Sequence, residues 1–210
     1  MARRPGRGAS RPTPVATRGR GPGRMDIDEA GLLRSARFRF IESPNCDDRP
    51  PAAEVSLLVI HGISLPPGKF GGDGVLRLFT NTLDWAAHPF YETLRGLRVS
   101  AHFFVRRTGE IIQFVPCGRR AWHAGESSWR GRERCNDFSI GVELEGVDTR
   151  SYTERQYARL VPLAATLRRR YPIAEIVGHS DIAPGRKTDP GPAFDWRRLR
   201  ALVGRAPRSR

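Results

Sequence analysis

Two histidines in this sequence each follow a short apolar segment that is rich in strand-forming residues. His61 comes directly after the segment 55–60, and His179 follows the segment 173–177 with one glycine between. Ligands bind preferentially at the carboxyl ends of strands in α/β sheets, although a single histidine there is more often structural. The loop after His179 is polar and stiffened by prolines, as functional loops often are, and it contains Asp189. Two imidazoles and one carboxylate are the ligand set of a catalytic zinc site.

Glu143 is a candidate catalytic residue because of its place in the apolar segment 138–144. Side chains alternate along a strand, so Ser139, Gly141 and Glu143 share one face. That face is either merely solvated, or its small residues leave room for a ligand beside the single carboxylate. In the second interpretation, Glu143 accepts a proton from the attacking water and passes it to a leaving nitrogen.

Lys187 lies two residues before Asp189, so in an extended segment both side chains point the same way. Its ammonium would then stabilise the negative oxygen of a tetrahedral intermediate. The ligands must converge from separate segments, since the H-E-x-x-H helix of many metalloproteases is absent.

The remaining histidines have weaker patterns. His123 follows Trp122 and precedes a glycine turn, as residues of sugar or peptide pockets often do. His102, at a predicted strand start, either lines the site or packs in the core. His88, before a proline, is expected to be structural.

The elements that must position these residues are predicted from apolar periodicity and from glycine and proline punctuation. Together they predict one α/β domain with a mixed central β-sheet flanked by helices. The predicted elements are a buried central strand at 55–60, a hairpin of strands 101–106 and 110–115, a strand at 138–144, a helix at 153–171 that Pro162 kinks or splits, a short strand at 173–177 and a terminal helix at 195–203.

The net charge of +14 is unevenly distributed. Residues 1–24 contain seven arginines and no acidic residue, and this Gly/Pro/Arg-rich tail is expected to be disordered. The folded domain would span 25–204, with a second basic tail at 205–210. Only Lys69 and Lys187 among the 36 basic residues are lysines. Because the arginine bias is so strong, the net charge is weak evidence for nucleic-acid binding.

Three cysteines without C-x-x-C spacing argue against a disulfide framework and fit a reducing compartment. No apolar run approaches the roughly 20 residues of a membrane span. The sequence thus predicts a cytoplasmic protein with no nucleic-acid or membrane partner, and a monomer by default.

Several ordered motifs between Arg34 and Val203 resemble the AmpD-type N-acetylmuramoyl-L-alanine amidases. The segments that carry the resemblance are Ile60 to Gly68, His88-Pro89-Phe90, Arg98 to His102, Arg120 to Gly125, Gly131 to Gly146 and the loop His179 to Gly191. Two positions bear on the match. Gly62 stands where the family usually has Asn, and Ala101 with Asp189 matches the AmpD branch rather than related phage and animal amidases.

The resemblance implies one zinc ion per chain held by His61, His179 and Asp189, with Glu143 and Lys187 catalytic. It also implies an anhydro-muropeptide substrate, cut between the lactyl group and L-alanine during cell-wall recycling. The substrate-binding residues expected from it are Arg98, Trp122 and His123. The alternatives are a non-catalytic peptidoglycan-binding module of the same fold, which would be expected to lack a zinc ligand, and a nucleic-acid-binding protein.

Overall fold

The computed structural model describes residues 25–35 and 38–203 of the chain. Its strands are β1 (Asp26–Ile27), β2 (Leu33–Arg34), β3 (Phe38–Phe40), β4 (Cys46–Asp47), β5 (Leu57–Ile63), β6 (Phe103–Val105), β7 (Ile111–Gln113), β8 (Arg120–Ala121), β9 (Ser128–Trp129), β10 (Arg132–Glu133), β11 (Ser139–Glu145) and β12 (Glu175–Gly178). Its α-helices are α1 (Gly74–Phe79), α2 (Pro89–Glu92), α3 (Glu154–Arg170), α4 (His179–Ile182) and α5 (Trp196–Val203), with 3₁₀ turns at Trp85–Ala87 and Cys135–Asp137.

Six strands form the central sheet in the order β12-β5-β11-β6-β7-β3. The hairpin pair β6 and β7 is antiparallel, and the other neighbouring pairs are parallel. The predicted mixed sheet is therefore confirmed. The hairpin is present but shorter than predicted, and Gly109 takes a positive φ of 84° in its turn.

The two faces of the sheet have different coverings because side chains alternate along each strand. Leu58 and Ile60 of β5 pack with Ile140, Val142 and Leu144 of β11 in the core under α3 and α5. The intervening residues of both strands point to the opposite face. That second face holds two smaller apolar clusters, and it also holds the candidate site.

Helix α3 begins with a capping box in which the hydroxyl of Thr153 accepts from the backbone N–H of Gln156 and the Gln156 side chain accepts from the backbone N–H of Thr153. Its apolar stripe, which includes Leu160, Leu163 and Leu167, is fully buried against the sheet. Pro162 lies inside a continuous helix, so the predicted split does not occur. Burial of this stripe offsets the cost of a helix-interior proline.

Strand β5 differs from its predicted bounds, since it continues through His61 to Ile63. Its full-length pairing with β11 provides the hydrogen bonds that extend it. His61 therefore lies within the strand rather than after it. His179, by contrast, follows β12 directly and opens α4, as predicted.

At the first described residue, Met25, the side chain is buried and the carbonyl accepts a hydrogen bond from the Thr166 hydroxyl. The predicted tails 1–24 and 205–210 lie outside the described residues. Within the described ranges, no helix combines the length and apolar character needed to cross a bilayer.

Candidate active site

Three neighbouring strands bring the candidate residues together on one face of the sheet. Strand β5 pairs with β11 so that His61 lies opposite Glu143, and residues paired in this way point to the same face. Strand β12 flanks β5 on its other side, with Gly178 opposite Ile60. His179 follows at once, so its ring lies beside that of His61.

His61, His179 and Asp189 form a compact cluster of potential metal ligands. The Nδ1 atoms of the two histidines are 3.0 Å apart, and Oδ2 of Asp189 is 3.3 Å from Nδ1 of His61 and 3.2 Å from Nδ1 of His179. Donors bound to a tetrahedral zinc at about 2.0–2.2 Å lie about 3.3 Å from one another. The three donor atoms thus fit the ligand set of such an ion.

The electrostatics of the cluster keep His61 and Asp189 in the forms that bind a cation. Burial lowers the pKa of His61 to about 4, although the nearby carboxylate of Asp189 opposes this effect. For Asp189, burial alone would raise the pKa, but close contacts with the rings of His179 and His61 outweigh it and hold the pKa far below its ordinary value. A neutral imidazole and an ionised carboxylate are the metal-binding forms of these residues.

The outer nitrogens of both histidines contact protein acceptors. Nε2 of His61 is 2.9 Å from Nδ1 of His123, and Nε2 of His179 is 3.2 Å from the carbonyl oxygen of Ala124. Arg186 also donates to that carbonyl, at 2.6 Å. Such contacts orient ligand rings and fix which nitrogen carries the proton.

Glu143 lies beside the cluster with its Oε1 atom 3.9 Å from Nδ1 of His61. Its Oε2 atom is buried and makes no hydrogen bond to the described residues. Burial raises the pKa of Glu143 well above its ordinary value, the charge of Asp189 adds to the rise, and Lys187 opposes it. A buried carboxyl group with a free oxygen and a raised pKa is suited to proton transfer.

Lys187 is exposed, and its backbone N–H donates to the carbonyl of Ala183 at 3.0 Å. Its positive charge acts on both Glu143 and His61, lowering the pKa of each. The ammonium therefore lies within electrostatic range of the cluster.

The three predicted substrate-binding residues occupy different environments. Arg98 is exposed and makes no hydrogen bond or ion pair within residues 25–35 and 38–203. Trp122 is half-buried and donates its indole N–H to Asp47 at 3.1 Å. His123 is buried directly behind His61, and burial holds its pKa well below the ordinary value.

The space beside Ser139 and Gly141 is not left for a ligand, which corrects the interpretation of the small residues on β11. The ring of His123 fills it: a Cβ atom on Gly141 would lie 2.5 Å from Cγ of His123. Nε2 of His123 is also 3.1 Å from the hydroxyl of Ser139. The small residues thus make room for an imidazole of the protein itself.

The other two histidines are structural. Nδ1 of His102 accepts from the backbone N–H of Gly141 at 3.0 Å, and its Nε2 faces the carbonyl of Arg119 at 3.0 Å. His88 caps helix α2 by accepting from the backbone N–H of Phe90. The structural role predicted for His88 is confirmed.

Two supporting residues were not identified from the sequence. Asn136 accepts through Oδ1 from the backbone N–H groups of His123 and Ala124, at 3.1 and 2.8 Å. Tyr152 is buried and donates its hydroxyl to the carbonyl of Pro190 at 2.9 Å, next to Asp189. Both act across large sequence separations, so no local pattern marks them.

Two buried histidines and a half-buried aspartate that could hold a metal ion, with the buried carboxyl group of Glu143 beside them, form the kind of site found in hydrolases. The chain belongs to the N-acetylmuramoyl-L-alanine amidase family, whose sequence profile matches residues 51–192. It is accordingly an amidase, a hydrolase that acts on an amide bond.

Individual relatives support this assignment. The chain is 56% identical over 181 residues to the 1,6-anhydro-N-acetylmuramyl-L-alanine amidase AmpD of Citrobacter freundii, covering 85% of this chain and 95% of the relative. A crystal structure of a selenomethionine AmpD derivative is 57% identical, with a TM-score of 0.80 and coverage of 83% and 98% of the two chains. AmiD from Escherichia coli, solved with anhydro-N-acetylmuramic acid-L-Ala-D-gamma-Glu-L-Lys, is 31% identical, with a TM-score of 0.54 and coverage of 85% and 65%.

Proposed function

We propose that this chain hydrolyses the amide bond between the lactyl group of 1,6-anhydro-N-acetylmuramic acid and the L-alanine of the stem peptide, in peptidoglycan recycling. The observation that carries the proposal is the cluster of the buried His61 and His179 with the half-buried Asp189, beside which Oε2 of Glu143 is buried without a hydrogen bond to the described residues. The AmpD relatives, which match over most of their length, supply the substrate class.

The metal that we propose for the cluster is zinc, one ion per chain. Two imidazoles and a carboxylate leave a fourth position open, which is the arrangement of catalytic rather than structural zinc. A zinc ion held there would supply Lewis-acid polarisation of the scissile carbonyl and acidify a water molecule.

Glu143 is the proposed general base and acid. Its carboxylate takes a proton from the water whose oxygen attacks the lactyl carbonyl carbon. When the carbon–nitrogen bond breaks, Glu143 returns the proton to the departing nitrogen, so the products are a lactyl carboxylate and the free amine of L-alanine. The buried position of Oε2, without a competing hydrogen bond, keeps the carboxylate available for both transfers.

Lys187 is the proposed electrostatic stabiliser of the negative oxygen that forms during attack. Its influence on the pKa of Glu143 and of His61 supports a position near the cluster. The same positive charge favours the ionised form of Glu143, which is the form that accepts a proton.

Arg98, Trp122 and His123 are proposed to contribute to recognition of the sugar–lactyl–alanine junction. Arg98 has the freest side chain of the three for direct contact, because it is exposed and unpaired within the described part of the chain. Trp122 and His123 would shape the pocket from its walls, given their burial. An Arg98→Ala variant with an unchanged Michaelis constant would remove Arg98 from this group.

The working form that we propose is a cytoplasmic monomer without a nucleic-acid or membrane partner. All three cysteines, Cys46, Cys117 and Cys135, are free thiols, which supports a reducing compartment. Gel filtration with light scattering tests the monomer, and the mass expected from the chain is 23.5 kDa.

The decisive experiment combines metal analysis with product analysis. Purified protein should contain close to one zinc per chain and should release the peptide, with a free L-alanine amine, from 1,6-anhydro-N-acetylmuramyl-tripeptide, as read by mass spectrometry. Binding of the muropeptide without cleavage would instead support the non-catalytic module. Neither zinc nor cleavage would overturn the proposal.

A further inference from the structure

A line of four polar groups runs from the back of His61 into the core of the protein. Nε2 of His61 lies 2.9 Å from Nδ1 of His123, and Nε2 of His123 lies 3.1 Å from the hydroxyl oxygen of Ser139. That hydroxyl donates to the carbonyl oxygen of Cys135 at 2.6 Å. Each member is buried, so water does not compete for these hydrogen bonds.

The line has a direction that elementary hydrogen-bond chemistry determines. A carbonyl oxygen only accepts, so the single proton of Ser139 points at Cys135. Ser139 must then accept from His123, which puts the one N–H of a neutral His123 ring on Nε2. Nδ1 of His123 is consequently an acceptor, and the proton it receives is the N–H at Nε2 of His61. Nδ1 of His61 therefore carries no proton, and its lone pair faces His179 and Asp189.

The ring of His123 is held in place on two further sides. Gly141 leaves it the space that any larger residue on β11 would fill. The side chain of Asn136 accepts from the backbone N–H of His123 at 3.1 Å. A fixed ring in this position also fixes the plane of the His61 ring, since a hydrogen bond requires alignment as well as distance.

We propose that His123 and Ser139 are positioning residues for the metal site, which set the proton position and ring orientation of His61 from behind. The proposal rests on the ligand role of His61 in the proposed function. It also gives His123 a role distinct from the substrate contact considered above, because both of its ring nitrogens contact protein partners. Outer-sphere partners of ligand histidines typically change metal affinity by about 10–100-fold when removed.

The test uses the zinc-loaded full chain and a competing chelator. Ser139→Ala and His123→Phe should each weaken zinc binding by about 10–100-fold. The matched control is Ser43→Ala, since Ser43 is also a buried serine that donates to a carbonyl, that of Phe79, at 2.5 Å. This control should bind zinc within about twofold of the wild type. It therefore distinguishes the effect of breaking the hydrogen-bonded line behind His61 from the effect of removing any buried serine hydroxyl.

Nitrogen NMR of the imidazole rings supplies a readout independent of activity. In the wild type, His61 and His123 should both carry their proton on Nε2. In Ser139→Ala, the His123 ring should populate both neutral tautomers, with the proton on Nδ1 or on Nε2. Unchanged zinc affinity with unchanged ring forms in Ser139→Ala would overturn the proposal, even if His123→Phe failed to fold.

Failure of the proposed function gives a different pattern. If His61→Ala and His179→Ala retain zinc affinity, the metal site itself is wrong. If they lose zinc while Ser139→Ala keeps it at full affinity, only the positioning role is wrong.

Discussion

His61 and Glu143 lie side by side in register on adjacent parallel strands, and Nδ1 of the one is 3.9 Å from Oε1 of the other. This pairing fixes the distance between the proposed metal ligand His61 and the proposed proton-transfer group Glu143 through seven paired positions of the sheet. The distance between His61 and Glu143 therefore does not depend on the conformation of a loop. Substitutions of either residue therefore test a preformed geometry rather than an induced one.

The metal centre is tested by His179→Ala. Removal of one of three donors should lower the zinc content from about one ion per chain to a small fraction, measured by mass spectrometry of the bound metal. His88→Ala is the matched control, because His88 is a helix cap rather than a member of the cluster. Full zinc occupancy in His179→Ala would contradict the assignment.

The proton-transfer role is tested by Glu143→Gln, which keeps the size of the side chain but cannot accept a proton in the same way. Zinc content should stay normal, while turnover of the anhydro-muropeptide should fall by about 10²–10⁴-fold, the usual contribution of general acid–base catalysis. A near-normal rate with intact zinc would move the role to another residue.

Lys187→Ala should lower turnover by about 10²-fold, the scale of one group that stabilises a developing oxyanion. The chain offers a clean control in Lys69, its only other lysine, which is also exposed. Lys69→Ala should leave turnover unchanged. Equal effects of the two substitutions would point to a general effect of net charge rather than to a local role.

Gly62 and Tyr152 are predicted to be energetically coupled. A methyl group on residue 62 would overlap the Tyr152 hydroxyl, whereas the ring carbon that bears this hydroxyl is 3.5 Å away, an ordinary contact. Gly62→Ala should therefore destabilise the fold by about 1–3 kcal/mol, as overpacking does. The double variant Gly62→Ala/Tyr152→Phe should recover part of that loss.

Chemical denaturation of the four proteins in this cycle gives the coupling energy. If the changes in the free energy of unfolding of the two single variants simply add in the double variant, the backbone moves to avoid a collision between the two side chains. Tyr152→Phe alone also removes the hydrogen bond to the Pro190 carbonyl, so its own effect on zinc content must be measured beside its stability.

Removal of residues 1–24 should leave zinc content, melting temperature and amidase rate unchanged. A Gly/Pro/Arg-rich segment buries little apolar surface that could offset its ordering entropy. The sharper comparison is a deletion that also removes Met25 to Ile27, because these residues are paired in β1 or buried against α3. Only this longer deletion should lower the melting temperature.

The chemistry of the site was predictable from the sequence because residue types limit what a cluster can do. His61, His179 and Asp189 were singled out as a possible ligand set, and the structure brings them together; strand alternation placed Glu143 on one face of β11, and the structure puts it beside His61. The fold class was equally accessible, since apolar runs and turn residues mark each element of the central sheet. These are local properties, which the chain displays without its tertiary structure.

The supporting residues depend on contacts that the sequence does not display. Ser139 and Gly141 were found on the correct face of β11, but which ring fills the space beside them depends on the packing of residue 123, 16 positions away from its partner Ser139. The end of β5 was misplaced for a similar reason. Pairing with β11, rather than local propensity, carries that strand through His61 and Gly62 to Ile63.

The two proposed ligand histidines, His61 and His179, are separated by 118 positions along the chain, and they meet only after β5 and β12 have paired. An unfolded chain offers no such site, so a bound cation selects the native state over the denatured ensemble. At free zinc 100-fold above its dissociation constant, this linkage contributes about 2.7 kcal/mol. In a chain of this size that corresponds to about 5–10 °C in melting temperature, so the proposed zinc ion would raise thermal stability in addition to its proposed role in hydrolysis.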